Sequence, residues 1–403
     1  MVIEESSPAV QGPLAGVKVL DLSRWISGPF CAKLLADFGA DVIKIERPNG
    51  EEVRDVWLGP DGVSLYWAQY NANKRAMTLD TRASEARPIL RSLVKWADVL
   101  VENYRPGTLT RMGLSDEELS VLNPQLIKTS ISGFGQFGPN VDRPLFNAIA
   151  EATTGAMYLT RSSSGEPQMS GTFMADHAAG LYATIGALLA LFGRERTGSA
   201  RSVDLALFDA TFTLLGPSLG MVLNGLPSES GLGNRDVVTA PSNVFFTSEG
   251  RAIYLDVGTN AMFVALCEAM ENPRLVQDPL FLDNVQRMTN VEKIEAVVSA
   301  WTTSRTLAEV DQSLTAAGVP FGLVTSLDEA ARSDQVQARK LKVQVAGPRG
   351  PLTMPGVVPI LSPAPESVPG FVAAIGEHTE EVLIEICGFT TEEIIQLRTK
   401  GVI

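Results

Sequence analysis

Histidine and cysteine are scarce in this chain of 403 residues, which has two histidines and three cysteines. Cys31, Cys267 and Cys387 lie far apart, which argues against a disulfide framework and against a CxxC metal site. His177 and His378 are too few for a histidine-based metal site. We therefore expect no bound metal, no permanent cofactor and a reducing compartment, most simply the cytoplasm.

Positive charge is also in short supply, with 33 Lys and Arg against 46 Asp and Glu and a net charge of -13. Nucleic acids and anionic membranes both need a basic footprint, so we expect neither as a partner. The deficit is uneven, because residues 1–150 hold 16 basic and 18 acidic side chains while the remainder holds 17 and 28. If the protein binds an anionic ligand, we therefore expect the site on the first third of the chain.

Neither a signal peptide nor a membrane span is indicated. The opening residues, MVIEESSPAVQ, are polar and acidic rather than basic and then apolar. The most apolar stretch, 174–192, is marginal in length for a span and contains Asp176 and His177. We expect it to form a buried helix.

Short apolar runs alternate with helical patterns in the first 150 residues. Strands are predicted at 17–22, 41–46, 76–80, 98–102 and 126–131. Helices are predicted at 28–39, 84–96 and 115–122. Repeated βαβ units indicate a parallel sheet with helices on its faces, so this part is expected to be a doubly wound, Rossmann-like α/β domain.

The rest of the chain predicts a second, smaller domain. An Ala- and Gly-rich helical region at 147–225 completes the large domain, 1–225, and a polar linker follows at 226–243. Residues 226–330 are expected to form an α+β domain. It has a hairpin at Glu249–Gly250 and helices at 260–271, 291–302 and 306–317. Residues 331–403 comprise an extended return linker, 333–370, and two helices at 377–399 that pack on the large domain.

The first predicted βα turn reads SRWISGPF and lacks the GxGxxG fingerprint, which disfavours NAD. The spacing of Gly28-Pro29 favours a plain tight turn and helix start over a nucleotide-binding turn. Basic residues do recur near strand ends, where an open α/β sheet has its ligand crevice. The guanidinium fork suits phosphate, although isolated arginines are more often solvated surface charges. The basic residues near the predicted strand ends are Arg47, Lys74, Arg75, Arg82, Arg105 and Arg111.

Asp176 begins a helix otherwise made of Ala, Gly, Leu and Ile. It is consistent with a helix N-cap, and equally with an ionised carboxylate that serves as a nucleophile at the positive end of the helix dipole. The residues alone leave both interpretations open. His177 points about 100° away on such a helix, and we expect it to be a satisfied buried histidine.

Several longer segments resemble the class III CoA-transferase superfamily, which includes formyl-CoA transferase, carnitine CoA-transferases and α-methylacyl-CoA racemase. The resemblance extends from about residue 13 to the end of the chain. The segments are VLDLSRWISGPFCAKLLADFGADVIKIERP, NANKRAMTLD, ADVLVENYRPGTLTRMGL, NPQLIKTSISGFGQFGP, GALLALFGRERTG and GEHTEEVL.

The resemblance implies an interlocked homodimer of ring-like chains that uses coenzyme A as co-substrate and transfers it from an acyl-CoA to a small carboxylic acid. It places the nucleophile at Asp176, followed by Gly180, with Arg24 to Ser27 (including Trp25 and Ile26) bordering the thioester. The CoA-binding residues that it implies are Arg24, Ser27, Arg47, Leu79, Arg82, Asn103, Tyr104, Arg105, Arg111, Phe146 and Asn147.

The chain departs from two branches of the superfamily. Formyl-type transferases carry a glycine-rich loop and a first-turn Gln, whereas this chain has scattered Gly231, Gly233 and Asn234 and has Ile26 in the turn. The racemase branch has a His base where this chain has Phe146. Transferase is therefore preferred over racemase, and a non-catalytic CoA-binding protein is the remaining alternative. Arg54 and Arg143 are candidates for binding a second substrate carboxylate, or are plain surface residues.

Overall fold

The structure is a computed structural model that describes residues 12–59, 61–227, 233–362 and 370–403. Part of the predicted linker 226–243, with Gly231, and residues 363–369 of the predicted return linker lie outside the described residues. The strands are β1 Lys18–Asp21, β2 Asp41–Glu46, β3 Arg75–Thr78, β4 Val99–Glu102, β5 Ile127–Ser132, β6 Val203–Ala206, β7 Ser242–Phe246, β8 Ala252–Asp256, β9 Phe321–Leu323, β10 Lys342–Gly347 and β11 Gly350–Pro355.

Helices connect most of these strands. The α-helices are α1 Ser27–Asp37, α2 Leu65–Asn71, α3 Ala86–Trp96, α4 Thr108–Arg111, α5 Asp116–Leu122, α6 Asn147–Thr154, α7 Ala156–Leu159, α8 Met174–Thr197, α9 Leu207–Thr213, α10 Gly216–Leu223, α11 Asn260–Ala269, α12 Asn284–Thr289, α13 Val291–Thr303, α14 Leu307–Ala317, α15 Leu327–Arg332, α16 Asp334–Ala338, α17 Thr379–Glu385 and α18 Thr391–Thr399. The 3-10 turns are Glu52–Asp55 and Pro273–Gln277.

Six parallel strands form one sheet in the order β3-β2-β1-β4-β5-β6. The chain winds outward from β1 in one direction as far as β3 and then resumes at β4 on the other side of β1. This order is typical of doubly wound sheets, whose ligand crevice lies outside the carboxyl ends of the strands where the order reverses. Here that reversal lies between β1 and β4.

Both faces of this sheet are buried, so its strands read as continuous apolar runs. In β1, Val19 packs into a cluster with α1 and α8, whereas Leu20 packs into the cluster on the opposite face. The opposite cluster includes α3 and, from the end of the chain, α17 and α18 through Val382 and Leu397. The C-terminal helices thus pack on the sheet that begins the chain, as expected from the sequence.

The chain divides into two compact units. The first comprises the residues up to Thr154, Gly171–Leu214 and Asp334–Ile403, and the second comprises Gly155–Ser170 and Leu215–Ser333. Residues 155–170 and 215–225 thus fall in the second unit, although the helical pattern predicted them in the large domain. The continuous helical pattern gave no sign of the boundaries near residues 155 and 215. At these boundaries Gly155 (φ +98°) and Gly216 (φ +59°) adopt left-handed conformations that change the direction of the chain between helices.

The second unit contains the antiparallel sheet β7-β8-β9 and helices that include α11, α13 and α14. The predicted hairpin is confirmed, because β7 pairs with β8 and Gly250 in the turn has φ +73°. Phe245, Ile253, Leu266 and Val298 contribute to its core.

Two strand regions differ from the sequence-based prediction. Residues 203–206, predicted as part of a helical region, form the edge strand β6, which pairs with β5. The predicted extended linker contains the hairpin β10-β11, whose Val345, Leu352 and Met354 are buried together with aromatic residues of α2. Its high Pro and Gly content masked an apolar alternation that is typical of a strand.

Helix α8 is long and apolar enough to cross a membrane by length and composition alone, and half of its most apolar window is buried inside the molecule. The core helix of a soluble protein passes the same test, so this feature is weak evidence for a span.

Candidate active site

The loops that follow β1, β2, β3 and β4 border one groove at the carboxyl edge of the sheet, with a volume of about 1160 Å³. Six of the CoA-binding residues implied by the family resemblance line this groove. They are Arg24, Arg47, Leu79, Arg82, Tyr104 and Arg111. Because these residues come from four separate loops, the sheet topology alone brings them together.

Other groove residues could not be found from the sequence. Arg87 from α3 and Gly401 from the end of the chain line the groove, as do the acidic Glu52 and Asp55. Arg87 lies in the helix predicted at 84–96, to which the sequence assigned no binding role, and Gly401 reaches the groove only through the folding of the tail. Neither position carries a local sequence signal.

Glu52 links two arginines of the groove. One carboxylate oxygen pairs with Arg24 and the other with Arg47. Burial raises the pKa of Glu52, but hydrogen bonds that include those from Arg24 and Arg47 lower it to about 2 overall. Glu52 is therefore ionised at neutral pH and occupies both guanidinium groups, as an anionic ligand would.

The first βα turn carries Arg24, which lines the groove, and ends at Ser27, which begins α1 and is buried. The Asn103 side chain accepts a hydrogen bond from Arg24 N at 2.7 Å and donates one to Arg24 O at 2.6 Å. It also approaches Ser27 Oγ at 3.4 Å. The turn holds Trp25 at φ +67°, a left-handed conformation that is costly for a bulky side chain and is found where neighbouring contacts enforce it.

Gly28 permits this close packing. A Cβ at Gly28 would lie 2.2 Å from Ser23 Cβ and 3.3 Å from Asn103 Cγ. The Gly28-Pro29 pair is thus the start of a helix, and its glycine is also required for the contact between the turn and Asn103.

Asp176 lies in the first turn of α8, where the helix dipole favours a negative charge. Gly180, one turn further on, lets α8 approach α1 closely, because a Cβ there would lie 2.8 Å from Phe30 Cδ1 and 2.9 Å from Ser27 O. This approach brings the Asp176 carboxylate close to the Ser27 side chain, which lowers the pKa of the carboxylate. The residue at the N-cap position is Phe173, so Asp176 is not the N-cap.

The Asp176 carboxylate is partly buried. Burial raises its pKa, the hydrogen bond from Ser27 lowers it, and the result is a pKa of about 6. Tyr66 and Tyr70 lie close enough to interact with its charge. Burial, with a smaller contribution from Asp176, raises the pKa of both hydroxyls, and the resulting pKa of Tyr70 is about 12. Asp176 is therefore mostly ionised at neutral pH but less well solvated than a surface carboxylate.

Asn147, which the resemblance placed on CoA, is buried and holds the start of α8. Its Oδ1 accepts the Ala175 N–H at 2.8 Å, and its amide nitrogen donates to Glu151 at 2.8 Å. Its amide is thus engaged next to Asp176. Phe146 and Arg105 are exposed but do not line the groove.

His177 lies in an aromatic cluster beside Asp176. Its Nε2 forms a hydrogen bond with Tyr70 Oη at 3.0 Å, and its ring packs on Phe30 at 5.2 Å and on Phe173 at 6.5 Å. Burial lowers the pKa of His177, so the ring is neutral at physiological pH. This contact agrees with the expectation of a satisfied histidine. Tyr66 and Tyr70 were not predicted as site residues because helix α2 was not predicted. The signal that could have revealed α2 is its N-cap, Ser64, whose Oγ accepts the Trp67 N–H at 3.0 Å.

Four more basic residues singled out in the sequence do not line the groove. Arg54 binds both oxygens of Glu46, at 2.7 and 2.6 Å, and stacks on Trp67, so it is not available for a substrate carboxylate. Arg75 is the first residue of β3, so it lies at the amino-terminal ends of the strands, away from the groove, and it pairs with Asp41. Lys74 is buried rather than in the crevice. Arg143 is exposed beside Asn140.

The family model described as CoA-transferase family III matches residues 14–379. The chain belongs to this family. It is similar to the succinyl-CoA–L-malate CoA-transferase beta subunit of Chloroflexus aurantiacus, with 38% identity over 97% of this chain and 98% of that protein. It is also similar to the succinyl-CoA–D-citramalate CoA-transferase of that organism, with 34% identity over 99% and 100% of the two chains.

The fold comparison agrees with the sequence comparison. A CAIB/BAIF family protein from Brucella suis superimposes with a TM-score of 0.83 at 32% identity and covers 93% of this chain and 100% of its own. The chain is therefore a CoA-transferase, and the expected family and enzyme class are confirmed.

Proposed function

We propose that this enzyme transfers CoA from an acyl-CoA to a free carboxylic acid, with Asp176 as the covalent nucleophile. The observation that carries the proposal is the close approach of α8 to the first βα turn, in which a Cβ at Gly180 would lie 2.9 Å from Ser27 O and the Ser27 side chain interacts with the Asp176 carboxylate. It joins a partly buried carboxylate to the turn whose Arg24 lines the groove. The thioester end of a ligand bound in the groove is then expected beside this turn.

The transfer proceeds through balanced acyl exchanges. An Asp176 oxygen attacks the thioester carbonyl, the C–S bond breaks, and a mixed anhydride and CoA thiolate form. The thiolate attacks the aspartyl carbonyl of the anhydride and releases the first acid, leaving an aspartyl-CoA thioester. The acceptor carboxylate attacks the aspartyl carbonyl of this thioester, the C–S bond breaks, and a second mixed anhydride and CoA thiolate form. The thiolate then attacks the acyl carbonyl of the acceptor, the anhydride C–O bond to Asp176 breaks, and the new acyl-CoA and the free Asp176 carboxylate are released.

No net proton is consumed in this sequence, since each step exchanges a carboxylate for a thiolate or the reverse. A neutral His177 engaged with Tyr70 is compatible with this chemistry. The α-methylacyl-CoA racemase alternative needs a base and an acid on opposite faces of the α-carbon. Phe146 stands at the racemase base position and the Asn147 amide is engaged, so the site favours transfer.

The groove is expected to hold CoA. Its arginines include Arg47, Arg82, Arg87 and Arg111, whose guanidinium forks suit the phosphates of CoA. The acidic groove residues Glu52 and Asp55 moderate this attraction. CoA is the co-substrate in this proposal and leaves with each product.

The relatives suggest the class of acyl group. Both Chloroflexus aurantiacus proteins carry succinyl-CoA in their names, with L-malate and D-citramalate as the acids. We infer succinyl-CoA as donor and a short dicarboxylic or hydroxydicarboxylic acid as acceptor. A cytoplasmic location, where such metabolites occur, remains our prediction.

We also propose a homodimer. Exposed apolar residues recur at helical spacing along one face of α8, namely Leu181, Ile185, Leu188, Leu189 and Phe192. A contiguous apolar stripe of this kind is typical of a protein interface. The interlocked ring arrangement implied by the family resemblance would cover it with a second copy of the chain.

A screen of free acids against succinyl-CoA and acetyl-CoA, followed by mass spectrometry, tests the activity. We expect a new acyl-CoA with at least one dicarboxylic acid and its loss in Asp176→Asn. Asp209→Asn is the matched control, because Asp209 is another carboxylate whose pKa is raised by burial, but it lies on α9. Full transfer by Asp176→Asn would refute the nucleophile assignment, and tight CoA binding without transfer to any acid would favour a non-catalytic binding protein.

A further inference from the structure

Four ionisable side chains that the proposed reaction does not use lie buried beneath the first βα turn. Asp21 and Lys44 are 0% exposed, Lys74 is 1% exposed and Glu51 is 4% exposed. Two acids and two bases balance in charge. Even so, each ion costs several kcal/mol to remove from water, so such a cluster is a weak way to gain stability. Its contacts show what it holds in place.

Ser23 is bonded to these ions through its backbone N–H, its hydroxyl and its carbonyl. Asp21 Oδ1 accepts the Ser23 N–H at 2.9 Å and also the Ser23 hydroxyl. Lys44 donates to Ser23 O and forms an ion pair with Glu51 at 2.8 Å. The residue at the start of the turn is therefore held by both a buried acid and a buried base.

Lys74 holds the other end of the turn. Its three N–H donors meet three acceptors: Asp21 Oδ2 at 2.8 Å, Pro29 O at 2.8 Å and Asn71 Oδ1 at 2.9 Å. Pro29 lies in the first turn of α1. The Asp21–Lys74 pair thus fixes the chain on both sides of residues 24–28.

The segment between these two anchors carries the site. Ser27 O lies against Gly180, one turn from Asp176, and the Ser27 side chain interacts with the Asp176 carboxylate. Arg24 lines the groove, and Asn103 holds the Arg24 backbone from the far side. We propose that Asp21 and Lys74 form a positioning pair that holds Ser27 against the Asp176 carboxylate. This inference rests on the proposed function.

Loss of the pair should affect chemistry more than binding. Without the anchors, the turn relaxes and Ser27 no longer orients Asp176, and a displacement of about 1 Å in such a group costs on the order of a hundredfold in rate. Among the arginines that line the groove, only Arg24 lies on this turn, and it is already paired with Glu52. Arg47, Arg82 and Arg111 lie on other loops and keep their positions. CoA affinity should therefore change little.

The experiment uses the full-length Asp21→Asn/Lys74→Met enzyme, in which one acid and one base are removed together so that no buried charge is left unbalanced. We expect kcat to fall by on the order of a hundredfold and the Kd for CoA to stay within about threefold, which is a small free-energy difference. The acid limb of kcat/KM should move to higher pH, because Asp176 loses the hydrogen bond that lowers its pKa. Tyr66, Tyr70 and His177, the other titratable groups facing Asp176, are unchanged in this variant.

A double-mutant cycle with Ser27→Ala separates positioning from general stability. If the pair acts through Ser27, adding Ser27→Ala to the Asp21→Asn/Lys74→Met enzyme should reduce kcat by less than about threefold, far less than Ser27→Ala alone. The matched control is Lys33→Met/Asp37→Asn, which removes another ion pair with low exposure from α1, away from the turn. It should leave kcat and the acid limb unchanged.

Two outcomes would overturn the proposal: a wild-type kcat and acid limb in a folded Asp21→Asn/Lys74→Met enzyme, or full additivity with Ser27→Ala. If the double variant does not fold, Asp21→Asn alone, which keeps an acceptor for the Ser23 N–H, is measured with the same expectations and the same contradicting results. Failure of the proposed function is separate, since it would appear as retained transfer in Asp176→Asn.

Discussion

The Asp176 carboxylate must be ionised to attack a thioester, and its pKa of about 6 lies within reach of physiological pH. Burial supplies the upward shift and Ser27 opposes it. A carboxylate with a raised pKa is a stronger nucleophile than a fully solvated one once it is ionised, so the site combines reactivity with a usable charge at neutral pH.

The pH dependence follows directly. The active form is the deprotonated one, so kcat/KM should be level above about pH 7 and fall about tenfold per unit below about pH 6. Initial rates of transfer between pH 5 and pH 8 check this, with enzyme stability measured over the same range. A rate that stays level down to pH 5 would contradict the assignment of Asp176.

Glu52 gives a second residue-scale prediction, because it holds Arg24 and Arg47 within the groove. Glu52→Gln should free both arginines and tighten CoA binding by up to about fivefold, because an exposed ion pair contributes about 0.2–1 kcal/mol. Calorimetric titration with CoA measures this change.

Asp55→Asn is the control for that prediction. Asp55 lines the same groove and carries the same charge, but none of its described contacts is an ion pair with an arginine. Equal tightening by both substitutions would show that only net charge matters, and weaker binding by Glu52→Gln would show that Glu52 supports the arginines instead.

At the level of elements, the contact between α1 and α8 sets the geometry of the site. Gly180→Ala places a Cβ 2.8 Å from Phe30 Cδ1 and 2.9 Å from Ser27 O. The two helices must then separate, at a cost of about 1–3 kcal/mol in the free energy of unfolding, and kcat should fall as Ser27 leaves Asp176. Urea unfolding and steady-state kinetics measure the two effects.

The same helix offers a control of opposite sign. A Cβ at Gly193 of α8 would meet no atom within 4 Å in the described part of the chain, apart from its neighbours along the helix. Gly193→Ala should therefore stabilise the protein by about 0.5–1 kcal/mol without changing kcat. Wild-type stability and kcat in Gly180→Ala would contradict the role given to the α1–α8 contact.

Elements with strong local periodicity were predictable from the sequence, and those defined by tertiary pairing were not. Strands β1, β2 and β4 are apolar runs buried on both faces, which the pattern records directly. Strand β6 is a four-residue edge strand whose pairing with β5 decides its conformation. Hairpin β10-β11 was hidden by Gly347, Pro348 and Gly350 at its turn.

At the scale of the whole molecule, part of the groove could be predicted, because parallel strands end at the same edge wherever their loops lie in sequence. Arg47, Arg82 and Arg111 could therefore be placed together, whereas Lys74, Arg75 and Arg105 of the same prediction do not line the groove. The ligand of this edge stays a prediction. The roles of Asn147 and Lys74 could not be predicted, because a buried polar side chain is distinguished from a ligand contact only by its three-dimensional partners. Their sequence motifs are the same in either case.

The apolar face of α8 predicts the oligomeric state. Ile185 is 51% exposed in the middle of the stripe, so Ile185→Asp should lower the molar mass in solution from dimer toward monomer, as measured by light scattering. Val121→Asp on α5 is the control, because Val121 is 81% exposed and outside the stripe, and it should leave the mass unchanged. A monomeric wild-type protein would contradict the homodimer, and so would assembly only with a different chain.

Covalent trapping on Asp176 tests the central claim most directly. The full-length enzyme is incubated with succinyl-CoA without an acceptor acid, treated with hydroxylamine and digested, and the peptide that contains Asp176 is analysed by mass spectrometry. We predict a hydroxamate on Asp176 that depends on succinyl-CoA and is absent from Asp176→Asn. An unmodified Asp176 in enzyme that still transfers CoA would contradict the assignment of Asp176 as the nucleophile.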